Sequence, residues 1–157
     1  MTRFFISPGD PSGIGPEITL KALSENKDIQ NNFVLAGDKT LYLDLIDRNN
    51  IDLNLIDESS KEKGVIFKHF PLQNQVSFGK PDVANANYII DILSYGALGC
   101  IKKEFKGLIT GPINKELINE SGFEFSGHTE FLSDISNAKK VVMLLMNKKL
   151  KIALLTT

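Results

Sequence analysis

The chain has 157 residues, 42% of them hydrophobic and 24% charged, with a formal net charge of −1. This is the balance of an ordinary globular domain with a core of its own. The near-zero charge and the scattered lysines exclude an electrostatic case for nucleic acid or an anionic membrane as partner.

Phe4-Phe5-Ile6-Ser7 reads as a first strand, too short an apolar run for a signal peptide before Pro8-Gly9 ends it. After a loop rich in Gly and Pro, a helix is expected over 14–25, with Pro16 in its first turn and Glu17 at the positive end of its dipole. Ile18, Ala22 and Leu23 are expected to share its buried face. A second strand over 33–36 closes at Gly37-Asp38, and a helix follows over 39–48 with Leu41, Leu45 and Ile46 inward. Strands over 53–56 and 65–70 flank a charged connection, and Gly79-Lys80-Pro81 then breaks the chain.

The longest helix is expected over 84–105, with Ile89, Ile90, Leu93, Ala97, Cys100 and Ile101 at three-four spacing. Gly96 and Gly99 cost helix stability, so a close neighbour is expected there. A strand over 108–110 ends at Gly111-Pro112, and a short helix follows over 114–119. A second Gly-rich loop over 121–127 leads into a helix over 130–136. Strands over 141–146 and 150–155 are joined by a tight turn at Asn147-Lys148-Lys149.

Strands alternating with helices imply an α/β fold with a largely parallel sheet, which the closing hairpin is expected to make mixed. No stretch approaches the length of a membrane span. The single cysteine, Cys100, reads as a small apolar residue in a helical pattern. Without a disulfide framework the chain fits a reducing compartment, so a cytoplasmic protein is expected. The chain ends at Thr157 directly after a buried-looking strand, and truncation is the expectation there.

Three loops carry candidate chemistry. Pro8-Gly9-Asp10-Pro11-Ser12-Gly13-Ile14-Gly15 follows a strand and opens a helix, a place where backbone amides can meet an anion. A rigid connection without a ligand fits it equally well. It is not a Rossmann fingerprint, although Asp38 stands near the ribose-acid position. The third glycine position holds Ile18, Pro16 removes a donor, and the turn is too long. Thr110-Gly111-Pro112-Ile113-Asn114-Lys115 lies at a strand end, where Lys115 is either a point charge for a phosphate or carboxylate or an ordinary solvated lysine.

Phe125-Ser126-Gly127-His128-Thr129-Glu130-Phe131 precedes a helix that Thr129 is expected to cap, with Glu130 in its first turn. His128, in a Gly-flanked loop, can hydrogen-bond a substrate oxygen or phosphate, although a lone histidine is more often structural. His69, in a strand pattern between Phe67 and Phe70, is given no role. Two distant histidines without a cysteine partner make no metal site, and neither a P-loop nor a Ser-His-Asp arrangement is present.

Taken together, these stretches resemble the 4-hydroxythreonine-4-phosphate dehydrogenase family. The match runs through Ser7 to Glu17, Thr110 to Lys115 and Gly122 to Leu132, and continues in Ala138 to Met143 and in Ala153-Leu154 with Thr156-Thr157. Ser7 and Ser12 stand where the family usually has Thr and Ala. The resemblance implies an NAD- or NADP-dependent oxidation of 4-phosphohydroxy-L-threonine whose product loses CO2 to give 3-amino-2-oxopropyl phosphate, in pyridoxal phosphate synthesis. It implies a divalent metal (zinc, magnesium or cobalt) acting as Lewis acid. His128 and Thr129 match the family's substrate-binding His-Thr pair, so Thr129 is expected both to cap and to bind.

The implied fold is similar to isocitrate and isopropylmalate dehydrogenases: two lobes, here residues 1 to about 125 and a second lobe beginning at about 126, in a homodimer. Family members are about twice this long. Their first metal-binding histidine is expected directly after the Thr-Thr pair, so the metal ligands and most of the cofactor site are expected outside the chain, and this chain alone is expected to be inactive. Two other readings stay open: a relative acting on erythronate or threonate 4-phosphate, and a non-catalytic phosphate-binding or dimerisation module. An acyl transferase follows only from likeness of fold, and no residue supports it.

Overall fold

The computed structural model describes residues 3–154. The end of the strand expected over 150–155, and Thr156-Thr157, lie outside them.

Short hydrophobic runs of two to six residues form the strands, and Gly, Pro or Asp stands at or beside the end of several of them. In chain order the elements are β1 (Arg3–Ser7), α1 (Gly15–Glu25), β2 (Phe33–Gly37), α2 (Lys39–Arg48), β3 (Leu55–Ile56), β4 (Val65–His69), α3 (Ala86–Ile101), β5 (Phe105–Thr110), α4 (Lys115–Glu120), α5 (His128–Ser136), β6 (Met143–Met146) and β7 (Lys151–Leu154). Single 3-10 turns at Lys27–Asn32 and Val83–Asn85, not foreseen from the sequence, lead into β2 and α3.

The fold is α/β with a mostly parallel arrangement of strands. Five strands form one sheet in the order β3-β4-β2-β1-β5, and every pair in it is parallel. The closing hairpin does not enter this sheet. β6 and β7 pair antiparallel as a ribbon of their own, with Met143 opposite Leu154 and Met146 opposite Lys151. Its apolar residues therefore stay exposed, Leu145 at 55% and Met146 at 63%.

The sheet is covered on both faces, as parallel sheets must be. On one face Leu20 and Leu23 of α1 and Leu41, Tyr42 and Leu45 of α2 pack on Ile6, Leu35, Val65 and Phe67. On the other, Ile92 of α3 joins Phe5, Val34, Ala36 and Ile66. α3 also turns a second stripe, Ile89, Ile90 and Leu93, toward Leu117, Ile118 and Phe125. This two-sided burial explains its high apolar content.

The expected neighbours of Gly96 and Gly99 are present. A Cβ on Gly96 would stand 2.5 Å from Phe5 and 2.7 Å from Leu108, and one on Gly99 would stand 2.4 Å from Phe105. α3 is shorter than expected because it stops at Ile101; Lys103 takes φ 63° and Phe105 opens β5. Ile101 consequently lies past the buried stripe and is 50% exposed.

The face of α1 also differs from expectation. Leu20 and Leu23 are buried, whereas Ile18 is 48% exposed and Ala22 is exposed. Ile18 and Ala22 look instead across an apolar groove of about 460 Å³, whose far wall includes Ile29, Phe33 and Ile109. β5 is the edge strand beside this groove, which is why α1 shows an apolar stripe wider than the sheet beneath it can bury.

Candidate functional site

In an open parallel sheet the natural ligand crevice lies beyond the carboxyl ends of the strands, where the chain order reverses. Here that point is between β1 and β5. The first two candidate loops meet there and close the crevice with their own backbones. Asp10 N–H donates to the Pro112 carbonyl at 3.1 Å, and Gly111 N–H donates to the Ser7 carbonyl at 2.7 Å. A Cβ on Gly9 would lie 2.1 Å from Pro112 O, and one on Gly111 would lie 1.9 Å from Pro8 O. These glycines serve close backbone approach.

Ser12 and Gly13 of the first loop turn their donors back onto Asp10. Ser12 N–H and Oγ donate to Asp10 Oδ1 at 2.9 and 2.7 Å, and Gly13 N–H donates to the Asp10 carbonyl at 3.1 Å. Asp38 is occupied as well: it caps α2 by accepting from Leu41 N–H, and its other oxygen accepts from Leu72 N–H at 3.1 Å. The backbone bonds to the second loop make the first loop a rigid connection between β1 and α1. Asn114 caps α4, accepting from Glu116 and Leu117 N–H, which leaves Lys115 exposed at the helix start.

The third loop is built differently. Asn119 at the end of α4 holds Phe125 by two hydrogen bonds: Nδ2 donates to the Phe125 carbonyl at 3.1 Å, and Phe125 N–H donates to Oδ1 at 2.8 Å. Phe125 is 3% exposed in the cluster of α3 and α4. Its ring meets His128 edge-on at 6.0 Å and lies 5.7 Å from Phe131. His128 is thereby fixed at the first position of α5.

Thr129 does not cap this helix. α5 begins at His128, its N-cap is Gly127, and no side chain bonds the cap. Burial of Phe125 and packing of Phe131 draw the first turn in by two residues, so Thr129 falls inside it, half-buried. The amides of that turn have no intrahelical acceptor. Glu130, in the same turn, places Oε2 only 3.1 Å from where a Gly127 Cβ would stand. Its charge suits the helix dipole but opposes an anion at that end.

His128 is half-buried, and its Nε2 is enclosed with no hydrogen-bond partner. Burial pulls its proton affinity below the ordinary histidine value. At neutral pH the ring is therefore neutral, with one nitrogen donating and one accepting. His69 is structural: its Nδ1 accepts from Lys39 N–H at 3.1 Å. Cys100 is free, and partial burial raises its thiol above the usual range, so it is a poor nucleophile. Among the described residues no three His, Cys, Asp or Glu side chains gather as a metal site. The described residues thus bring together no ligand set for a divalent metal. None of the described helices is long and apolar enough to cross a membrane.

The family model for the pyridoxal phosphate biosynthetic protein PdxA matches residues 28–157. The chain belongs to the PdxA family. A 4-hydroxythreonine-4-phosphate dehydrogenase of Vibrio parahaemolyticus is 36% identical over 162 aligned residues, covering 99% of this chain and 48% of the relative. One from Yersinia pseudotuberculosis is 33% identical at the same coverage. The solved structure of a 4-hydroxythreonine-4-phosphate dehydrogenase from Klebsiella pneumoniae superposes with a TM-score of 0.85 at 25% identity, covering 98% of this chain and 50% of that one. The chain spans about half the length of the PdxA relatives it matches.

The sequence singled out His128 and Thr129 but missed the Asn119 clamp that seats them. An amide side chain at a helix end, six residues before an aromatic in a Gly-containing loop, was the available signal.

Proposed function

We propose that the whole protein carrying this chain is a 4-hydroxythreonine-4-phosphate dehydrogenase. In this reading it oxidises 4-phosphohydroxy-L-threonine to 2-amino-3-oxo-4-phosphooxybutanoate with NAD+ or NADP+, and the product decarboxylates to 3-amino-2-oxopropyl phosphate. The carrying observation is kinship along nearly the entire chain with curated dehydrogenases of that name. The nicotinamide cofactor and a divalent metal (zinc, magnesium or cobalt) would be held by residues outside the matched half. The same reading gives a cytoplasmic homodimer with one lobe to about residue 125 and a second from about 126.

Within this chain the proposal assigns substrate contact to His128 and Thr129. A neutral imidazole carries one donor and one acceptor, and the Nε2 of His128 is unpartnered, so a substrate oxygen that displaces the packing around it would find a free hydrogen-bonding group. Thr129 and the uncapped first-turn amides of α5 belong to the same turn. A carboxylate at Glu130 favours a donor-acceptor contact with a hydroxyl or carbonyl over capture of a free anion.

The test is turnover by the whole protein with a divalent metal and either oxidised cofactor. 4-Phosphohydroxy-L-threonine is compared with erythronate and threonate 4-phosphate. The expected result is reduced cofactor and 3-amino-2-oxopropyl phosphate from the first alone. Preference for one of the others would replace the substrate assignment, and no turnover with any of the three would refute the dehydrogenase reading.

A further inference from the structure

We propose that Asn119 is the positioning residue for His128, acting through Phe125. The inference rests on the reading of His128 as a substrate contact.

The described residues give the His128 side chain packing but leave its Nε2 without a hydrogen bond. Its orientation therefore depends on the surface it leans against, and the Phe125 ring is part of that surface. The ring of Phe125 is buried against α3 and α4, but its backbone lies in a loop. Gly122 takes φ +93° with open space around it, and the residues from 123 to 127 belong to no helix or strand. Such a backbone has many conformations of similar energy. Asn119 removes that freedom by engaging both the N–H and the C=O of the same residue.

The chemistry selects asparagine. A carboxamide is donor and acceptor at once, and only one of its two orientations satisfies both Phe125 groups. An ionised aspartate would accept from the N–H and leave the carbonyl without its donor. Asn119 itself is exposed, so its replacement removes the clamp without opening a core cavity. The result is a two-step lever: the amide sets the backbone of Phe125, and the ring of Phe125 sets the imidazole.

The experiment is a double-mutant cycle in the whole protein. Binding of 4-phosphohydroxy-L-threonine is measured by calorimetry without oxidised cofactor, for Asn119→Ala, His128→Ala and the double variant, with circular dichroism as the check on folding. The expected result is that each single change weakens binding on the order of tenfold or more. The double variant should then bind no more weakly than His128→Ala alone, and Asn119→Asp should fall between wild type and Asn119→Ala. Additive losses, or normal binding by Asn119→Ala, would overturn the positioning role while leaving His128 as a contact. Normal binding by His128→Ala would instead bring down the contact reading, and the lever with it. Should Asn119→Ala fail to fold, Asn119→Asp carries the same cycle; failure of both would make Asn119 a determinant of the fold and overturn the proposal.

Discussion

A neutral, half-buried imidazole makes stability depend on pH in a definite direction. Burial lowers the proton affinity of His128 in the folded state, so below the free value of 6.5 the unfolded chain takes up the proton first. The contribution of the neutral ring is therefore complete above that value and lost as pH falls through the lowered folded one. Urea unfolding of wild type and His128→Gln, compared from about pH 7.5 to about pH 5, should show the difference between them shrinking toward acid. A difference that stays flat would mean that the ring is hydrated. The glycine before His128 and the acidic, aromatic residues after it marked this histidine in the sequence. Its enclosure was not legible, because the ring packs edge-on against Phe125, which is placed by an amide hydrogen-bonded across six residues. For the same reason Thr129 read as a cap: capping propensity is local, whereas the start of α5 is set by burial of Phe125 and Phe131.

Among the elements, glycine divides into two kinds that look alike in the sequence. At Gly111 a Cβ would meet Pro8 O at 1.9 Å, and at Gly79 it would meet nothing within 4 Å, although φ there is +74°. Gly79→Ala should cost only the left-handed conformation, about 1–2 kcal/mol. Gly111→Ala must push the two loop backbones apart and should cost about 3 kcal/mol or more. Chemical denaturation of both variants tests this, and equal costs would show that the two loops are not locked together. Strand and helix order was legible because short apolar runs alternate with three-four spacing through residue 110. The inward face of α1 was not. Ile18 and Ala22 obey the helical period, yet they overhang the edge strand, and period alone does not reveal how wide the sheet beneath is.

At the scale of the molecule, protection should be strongly uneven. The inner strands β1, β2 and β4 are bonded on both sides and covered by helices, whereas the β6–β7 ribbon pairs only with itself and exposes both faces. A two-stranded ribbon alone is marginal in water. Amide hydrogen exchange should therefore release Leu144, Leu145 and Ile152 first and Val34, Leu35 and Ile66 last. Ribbon amides as slow as those of β2 would contradict the separation of the two sheets. That separation was beyond the sequence, since strand pattern predicts pairing between neighbours but not whether a hairpin joins an existing sheet.

The lock between the first and second loops also imposes an order of events during synthesis. Phe5 pairs with Val34 on one side and Leu108 on the other, so β1 finds its first partner soon after leaving the ribosome and its second only after most of the chain has followed. Until then the outer edge of β1 is unpaired and the Ser7 carbonyl lacks the Gly111 N–H that donates to it. β1 must therefore spend much of translation as a temporary edge, and nascent chains that stop short of Gly111 are the ones most prone to pair with one another.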